Sequence, residues 1–435
     1  DSFDLCSQIC QLFSVQVINT QKKYFFLFIF AFYWQIRIKN KIKYNIMKNT
    51  LIIALSLFAC CIASAQVKIT GGPYLQNVTE TEFTVVWTTN MDAVGWIEIA
   101  PDDGTHFYNT ERPAYFDLRG AGRKPIGKLH KVTVKGLTPG TVYRYRAMNK
   151  GVISQEQRSR IVYTEGYGQD ILKRKPSQVK TLSSSYDKVK FAMVNDVHEN
   201  DSTFRMLFKD AAGKYDFVCF NGDMTSDVPN EEVLMKHYLK SAGELFAGET
   251  PLYIVRGNHE YRGNAATKYI DYLQTPTGKT YYAFKYGKFF FLALDGGEDK
   301  PDSDIRNLDI MITEQYVREE SEWLKKVVQS EDFKNADVRI AFCHIPPGEK
   351  GWYGNATVSR MLVPTLNEAG IDLMLCAHIH NLRYEAPGTT NANFPVLCND
   401  NLTRLDAEVT SDNISISVFD PDGKTIKSFN FKPKN

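Results

Sequence analysis

The chain has little of what would settle a function from composition alone. An excess of either charge is missing: 52 Lys and Arg stand against 50 Asp and Glu in 435 residues. Residues 1–65 hold seven of the bases and two of the acids, leaving 45 against 48 from residue 66 onward. Net charge therefore gives no reason to expect nucleic acid or an anionic membrane surface as a partner. Long apolar runs are missing as well. Tyr24 to Trp34 is eleven residues, short of the ~20 that cross a bilayer as a helix. Cysteine is sparse, and four of the eight lie in the first 61 residues. Cys219, Cys343, Cys376 and Cys398 each sit in an apolar, strand-like run, where a thiol behaves as a small buried hydrophobe. Free thiols are expected there rather than disulfides.

Histidine is scarce too, and its placement carries information. Five of the eight, His198, His259, His344, His378 and His380, fall in five short stretches that also hold Asp196, Asp223 and Asn258. Each stretch follows a strand-like run: 189–194 before Asp196, 217–220 before Asp223, 252–255 before Asn258, 338–342 before His344 and 371–375 before His378. In an open α/β sheet, loops at the carboxyl ends of neighbouring strands converge on one crevice. Residues far apart in sequence can thus share one site. Mixed nitrogen and oxygen donors suit Zn, Mn or Fe better than Ca or Mg. Two such cations ~3.5–4 Å apart, bridged by a carboxylate, polarise a phosphoryl oxygen, ionise water and offset charge on the leaving oxygen. The pattern is that of two-metal phosphoester hydrolysis. The competing reading, buried polar residues of an ordinary α/β domain, suits a lone histidine but not seven ligand-type residues at five strand ends.

The stretches Asn195-Asp196-Val197-His198, Gly222-Asp223-Met224-Thr225, Gly257-Asn258-His259-Glu260, Cys343-His344-Ile345-Pro346-Pro347 and Ala377-His378-Ile379-His380 resemble, in order, the five blocks of the calcineurin-like metallophosphoesterase superfamily, over roughly residues 188–400. The resemblance implies two divalent or mixed-valence ions (Fe, Mn or Zn). It puts Asp196, His198 and His380 on one, Asn258, His344 and His378 on the other, and Asp223 between them. It makes His259 the general acid beside the ions and Glu260 an orienting residue behind them. Three departures stand out. Ala377 replaces the usual Gly before the last block, which matters only if that position needs a positive φ. Ser226 stands where purple acid phosphatases carry an iron-binding Tyr, so a colourless enzyme is expected. Asp227 falls one residue late for the Asp that pairs with the catalytic histidine in protein phosphatases, and the partner of His259 stays open. Arg256 is expected in a structural ion pair, with a phosphate contact as the alternative.

From Met47, a basic start, an apolar core and an Ala-Ser-Ala ending before Gln66 form a secretory signal over 47–65. Residues 1–46 are expected to be translated leader sequence, and lipid anchoring through Cys60 is a second possibility. The expected location is exported, periplasmic or secreted, without a transmembrane anchor in the mature chain. Residues 67–165 alternate apolar and polar with Gly and Pro punctuation, a β-sandwich pattern. Their Leu137-Thr138-Pro139-Gly140-Thr141-Val142-Tyr143-Arg144-Tyr145 segment resembles the tyrosine corner of fibronectin type III-like domains. With Gly72-Pro73-Tyr74-Leu75-Gln76, the region resembles the N-terminal domain of purple acid phosphatases. A linker over 166–187 and the catalytic domain over 188–435 complete the chain. The fold class is thus α/β, a two-sheet metallophosphoesterase sandwich flanked by helices behind a small all-β sandwich.

The expected reaction is hydrolysis of a small phosphomonoester by attack of a metal-bridging hydroxide. A phosphodiester or nucleotide is the second substrate class, and a non-catalytic surface binding module is the rival of another kind. Trp352 and Tyr353 are candidates for stacking on substrate. The acidic loop 296–308 argues against polyanionic substrates. The sequence does not set the oligomeric state.

Overall fold

A computed structural model describes residues 66–157, 159–165, 174–348 and 351–434. The signal-like stretch, Cys60 and the residues before Met47 lie outside the described residues. From Val67 onward the chain forms one compact unit. No helix among the described residues is long and apolar enough to cross a membrane.

The first part is all antiparallel β: β1 (Ile69–Gln76), β2 (Glu82–Pro101), β3 (Ala114–Phe116), β4 (Gly127–Lys135), β5 (Val142–Glu156), β6 (Arg160–Tyr163) and β7 (Ser177–Lys180). The alternating runs at 83–88 and 95–99 read as two strands, but they are halves of the single strand β2. A register shift between Thr88 and Ala93 lets its first half pair with β1 and β4 and its second with β3 and β5. The segment expected as linker contributes β7, which pairs with β5. Trp87 is a core residue, its indole N–H donating to Asn149 Oδ1 at 2.7 Å. In the predicted tyrosine corner the Thr138 N–H donates to Tyr143 Oη at 3.0 Å.

This β region is tied to the rest of the unit by buried polar contacts. Tyr145 Oη donates to the Gly248 carbonyl at 2.6 Å, Tyr74 Oη to that of Tyr272 at 2.8 Å, and the Leu75 N–H to that of Ala247 at 2.9 Å. Such bonds are buried and fully paired, so they fix orientation as well as adding to stability.

The second part holds β8 (Lys188–Val194), β9 (Phe217–Asn221), β10 (Leu252–Val255), β11 (Tyr282–Tyr286), β12 (Phe289–Leu294), β13 (Val338–Cys343), β14 (Leu373–Cys376), β15 (Arg383–Glu385), β16 (Val396–Cys398), β17 (Arg404–Thr410), β18 (Ile414–Phe419) and β19 (Thr425–Phe431). They form two six-stranded sheets, β10-β9-β8-β17-β18-β19 and β11-β12-β13-β14-β16-β15. Strands β10, β9 and β8 run parallel in one, β12, β13, β14 and β16 in the other. Phe191 and Phe217 of the first sheet meet Phe291 and Phe342 of the second with centroids 5.2–6.5 Å apart, so the sheets pack face to face. The carboxyl ends of the parallel strands carry all five ligand stretches.

Apolar periodicity predicts helices over 230–244, 312–330 and 357–368, with the Glu and Lys residues of the 312–330 run away from its packed face. The first contains a π turn at Met235–Leu239. The third is two helices, Tyr353–Met361 and Val363–Ala369, with Pro364 in the first turn of the latter, where its missing N–H is not needed. In the 312–330 run, observed as a helix at Thr313–Val327, Glu320 is nevertheless fully buried, accepting the Asp295 N–H at 2.8 Å. The four described cysteines are free and buried.

Candidate metal centre

Six residues here hold left-handed backbone that side chains rarely adopt: Asp196 (φ 50), His198 (φ 44), Glu199 (φ 59), Asp223 (φ 51), His378 (φ 71) and His380 (φ 48). Five of the six are predicted ligands. Such strain persists only where surrounding structure over-determines it, and it gathers at functional sites. Ala377 is outside this set; the positive φ falls on His378 instead, so a Cβ at 377 is tolerated. The glycines of two other blocks are required by space. A Cβ at Gly222 would lie 2.4 Å from His344 Nδ1, and one at Gly257 would lie 2.2 Å from Asp223 Oδ1.

Each carboxylate is anchored by one oxygen and presents the other. Asp196 Oδ2 accepts from Asn195 Nδ2 at 2.8 Å and from the His378 N–H at 3.0 Å, leaving Oδ1 at 3.1 Å from His380 Nε2. Asp223 Oδ1 accepts the His259 N–H at 2.9 Å, leaving Oδ2 at 3.1 Å from His344 Nε2. His344 Nδ1–H donates to the Asn221 carbonyl at 2.8 Å. That bond orients the ring and directs Nε2 inward. Asn258 Oδ1 and His378 Nε2 are buried atoms without a hydrogen-bond partner, which is costly unless a cation meets them, while His344 Nε2 meets the Asp223 carboxylate. Donor atoms gather within 4.8 Å of one another in three groups: Asp196, His198 and His380; Asp223, His344 and His378; and His198, Asp223 and His259.

The electrostatics describe a place that favours positive charge. Burial would raise the carboxyl of Asp223, but His344 and His259 outweigh it and hold it well below the usual range; Asp196 is lowered likewise. Burial would lower His344, yet Asp223 and Asp196 raise it to about 10. Burial, then the neighbouring His344, takes His378 down to about 4. Orphaned inward lone pairs, anchored carboxylates and N/O donors together fit transition-metal ions of the Zn, Mn or Fe class.

His259 could join the third donor group, but its surroundings set it apart. Its Nδ1–H donates to the Ser226 carbonyl, and Arg262 Nη1 lies 3.4 Å from Nδ1 and 3.2 Å from Nε2. A nitrogen so nearly equidistant from both ring nitrogens sits over the ring face. Asp227 is exposed, and the partner that the sequence left open for His259 is Ser226's backbone together with Arg262. Ser226 itself is held by Glu199, its N–H and hydroxyl each donating at 2.7 Å.

Glu260 is fully buried and accepts the N–H groups of Met224 (2.7 Å), Gly257 (2.9 Å), Asp223 (3.0 Å) and Thr225 (3.2 Å). Arg256 pairs with Asp295 at 2.8 Å and stacks on the Tyr261 ring at 3.6 Å, a structural ion pair. Trp352 is exposed and edges against His378 at 4.9 Å, while Tyr353 Oη donates to Glu314. Sequence reading passed over Asn195 and Asn399, whose amides join behind Asp196 at 2.9 Å, and Arg262 with its partners. The acids of loop 296–308 are answered locally: Asp299 by Lys300 and Arg262, Asp304 by Arg306, and Asp302 by the Thr313 and Glu314 N–H groups.

Residues 189–382 match the calcineurin-like phosphoesterase family and residues 72–161 the purple acid phosphatase N-terminal domain. The chain carries a calcineurin-like phosphoesterase domain over residues 189–382. Its phosphoesterase domain spans all five ligand stretches, and it is a metal-dependent phosphoester hydrolase. The structure of PhoD superposes on this chain with TM-score 0.52 and 13% identity, over 82% of this chain and 92% of that one. GAP50, the anchor in the inner membrane complex of Plasmodium, gives TM-score 0.41 and 13% identity over 57% and 90% of the two chains. At 13% identity the PhoD likeness speaks to fold alone. No curated protein matches by sequence.

Proposed function

We propose that the chain is an exported phosphomonoesterase working with two metal ions. Asp196, His198 and His380 would hold one ion, Asn258, His344 and His378 the other, with Asp223 available to both. When bound, the ions supply Lewis-acid charge for the phosphoryl group and ionise water at neutral pH. The observation that carries the reading is the pairing of two pinned carboxylates with buried side-chain atoms of Asn258 and His378 that have no hydrogen-bond partner.

In this reading, His259 delivers a proton to the leaving oxygen, with Nδ1–H on the Ser226 carbonyl fixing the tautomer that leaves Nε2 facing substrate. Glu260 keeps the loops of Asp223 and Asn258 in register. Pairing of Glu298, Asp299 and Asp304 with Arg262, Lys300 and Arg306 leaves less unpaired negative charge to repel a dianionic substrate. The signal-like stretch over 47–65 supports export.

The test is metal content of the protein from Gln66 onward, measured beside hydrolysis of mono- and bis-p-nitrophenyl phosphate with Mn, Zn or Fe. About two ions per chain with faster monoester turnover is expected. No metal and no turnover under any addition would favour a non-catalytic binding module, and faster diester turnover would assign a phosphodiesterase.

A further inference from the structure

Arg262 lies three residues beyond His259 and belongs to none of the five blocks. Its backbone is fixed on both sides: the N–H donates to the His259 carbonyl at 3.0 Å, and its own carbonyl accepts the Val228 N–H at 2.8 Å. Gly263 follows because a Cβ there would lie 2.4 Å from the Val228 backbone. The guanidinium is equally constrained. Nε donates to Glu298 Oε2 at 3.0 Å, and Nη2 to Glu298 Oε1 at 2.6 Å and Asp299 Oδ1 at 2.8 Å. The Glu298 side chain is fully buried and Asp299 is further held by Lys300. A bidentate carboxylate fork sets the guanidinium plane. Nη1 is left over as the one terminal nitrogen not committed to a carboxylate, and it reaches the His259 ring from a side chain about a quarter exposed.

We infer that Arg262 contacts a terminal phosphoryl oxygen of the substrate through Nη1 while holding the His259 ring, and so favours phosphomonoesters over diesters. The inference rests on the phosphoesterase reading above. A monoester dianion has three terminal oxygens and a diester monoanion has two, so a donor beside the ligand cluster gives the third oxygen a partner that a diester cannot use. Arginine suits this task because its fork can spend two nitrogens on anchorage and keep one for the ligand. The surrounding charges balance, Arg262 and Lys300 against Glu298 and Asp299. Recognition therefore comes from a directed N–H rather than from a long-range field, and should depend only weakly on salt.

Arg262→Lys and Arg262→Gln are compared with the wild-type holoenzyme for metal content, melting temperature, kcat and KM on both p-nitrophenyl esters, and inhibition by inorganic phosphate at two salt concentrations. Both variants should keep their metal. KM for the monoester and the inhibition constant of phosphate should rise together by about tenfold or more in Arg262→Gln, as expected for losing one charge-assisted hydrogen bond. Arg262→Lys should recover part of this loss, and diester KM should change much less. Unchanged phosphate inhibition in Arg262→Gln with bound metal would overturn the inference, as would equal losses on both esters. If Arg262→Gln does not fold, Arg262→Lys alone decides by the same two readouts. A wild-type protein that binds metal but hydrolyses neither ester would instead remove the phosphoesterase reading itself.

Discussion

The buried carboxylate of Glu260 grips the backbone of Asp223, accepting its N–H at 3.0 Å together with those of Met224 and Thr225 and, from the Asn258 loop, Gly257. Two ligand loops are thus clamped by one side chain. Burial and the charge of Asp223 push the Glu260 carboxyl up to about 7, while His344 and these N–H bonds pull the other way. Glu260→Gln places an amide NH₂ where N–H donors converge, removing at least one bond and opposing another. The expected loss is about 3 kcal/mol of stability, with weaker metal retention and lower turnover. Chemical denaturation and metal analysis check it; wild-type stability in Glu260→Gln would show that the clamp is not formed.

Asp223 and His259 are adjacent, yet their loss should look different. Asp223→Asn weakens the charge between the two ligand groups, so metal content and turnover should fall together. His259→Ala should keep its metal and lose turnover by about 10²–10⁴, the usual share of a positioned acid. The loss should shrink for an ester whose leaving group needs no proton, such as p-nitrophenyl, relative to an alkyl phosphate. Metal loss in His259→Ala would instead place His259 among the ligands, with His198 and Asp223.

The site was legible because metal ligands are chemically rare and sit beside strand ends. Strands β10 (252–255) and β13 (338–343) could be located from their apolar runs, each short and closed by a ligand stretch. What failed was what sequence separation hides. The irregularity between Thr88 and Ala93 imitates a turn, but pairing on both sides of β2 carries one strand through it. Glu320 looked solvent-facing because helical periodicity knows nothing of the Asp295 N–H that needs an acceptor. Arg262 was invisible because its role depends on Glu298 and Asp299, carboxylates 36 and 37 residues away.

Tyr145 supplies a test of how the β region is held. Its hydroxyl is buried and donates to the Gly248 carbonyl at 2.6 Å, near the amino end of β10 and so away from the ligand loops. Tyr145→Phe should cost about 1–3 kcal/mol by leaving that carbonyl unpaired, with kcat unchanged. A variant with wild-type melting temperature would mean that water or relaxation replaces the bond.

His130 should make the protein acid-sensitive through the β region alone. Its ring is buried, stacked on Trp87 at 5.1 Å, with Nε2 at 3.0 Å from Thr89 Oγ1. Burial, far more than the opposing nearby charge of Asp117, takes its pKa down to about 4. In the unfolded chain the ring titrates near 6.5. Between those values the unfolded state binds the extra proton, so stability is complete above about pH 6.5 and declines as pH falls toward 4. The shift corresponds to about 3 kcal/mol once the native ring is forced to protonate. His130→Gln cannot titrate and should show a flatter stability profile over this range, with the two proteins converging as pH falls. Urea unfolding at steps from pH 7.5 to 4 measures the difference. Parallel profiles for wild type and His130→Gln would mean that the native ring titrates near its ordinary value and that burial here does not exclude the proton.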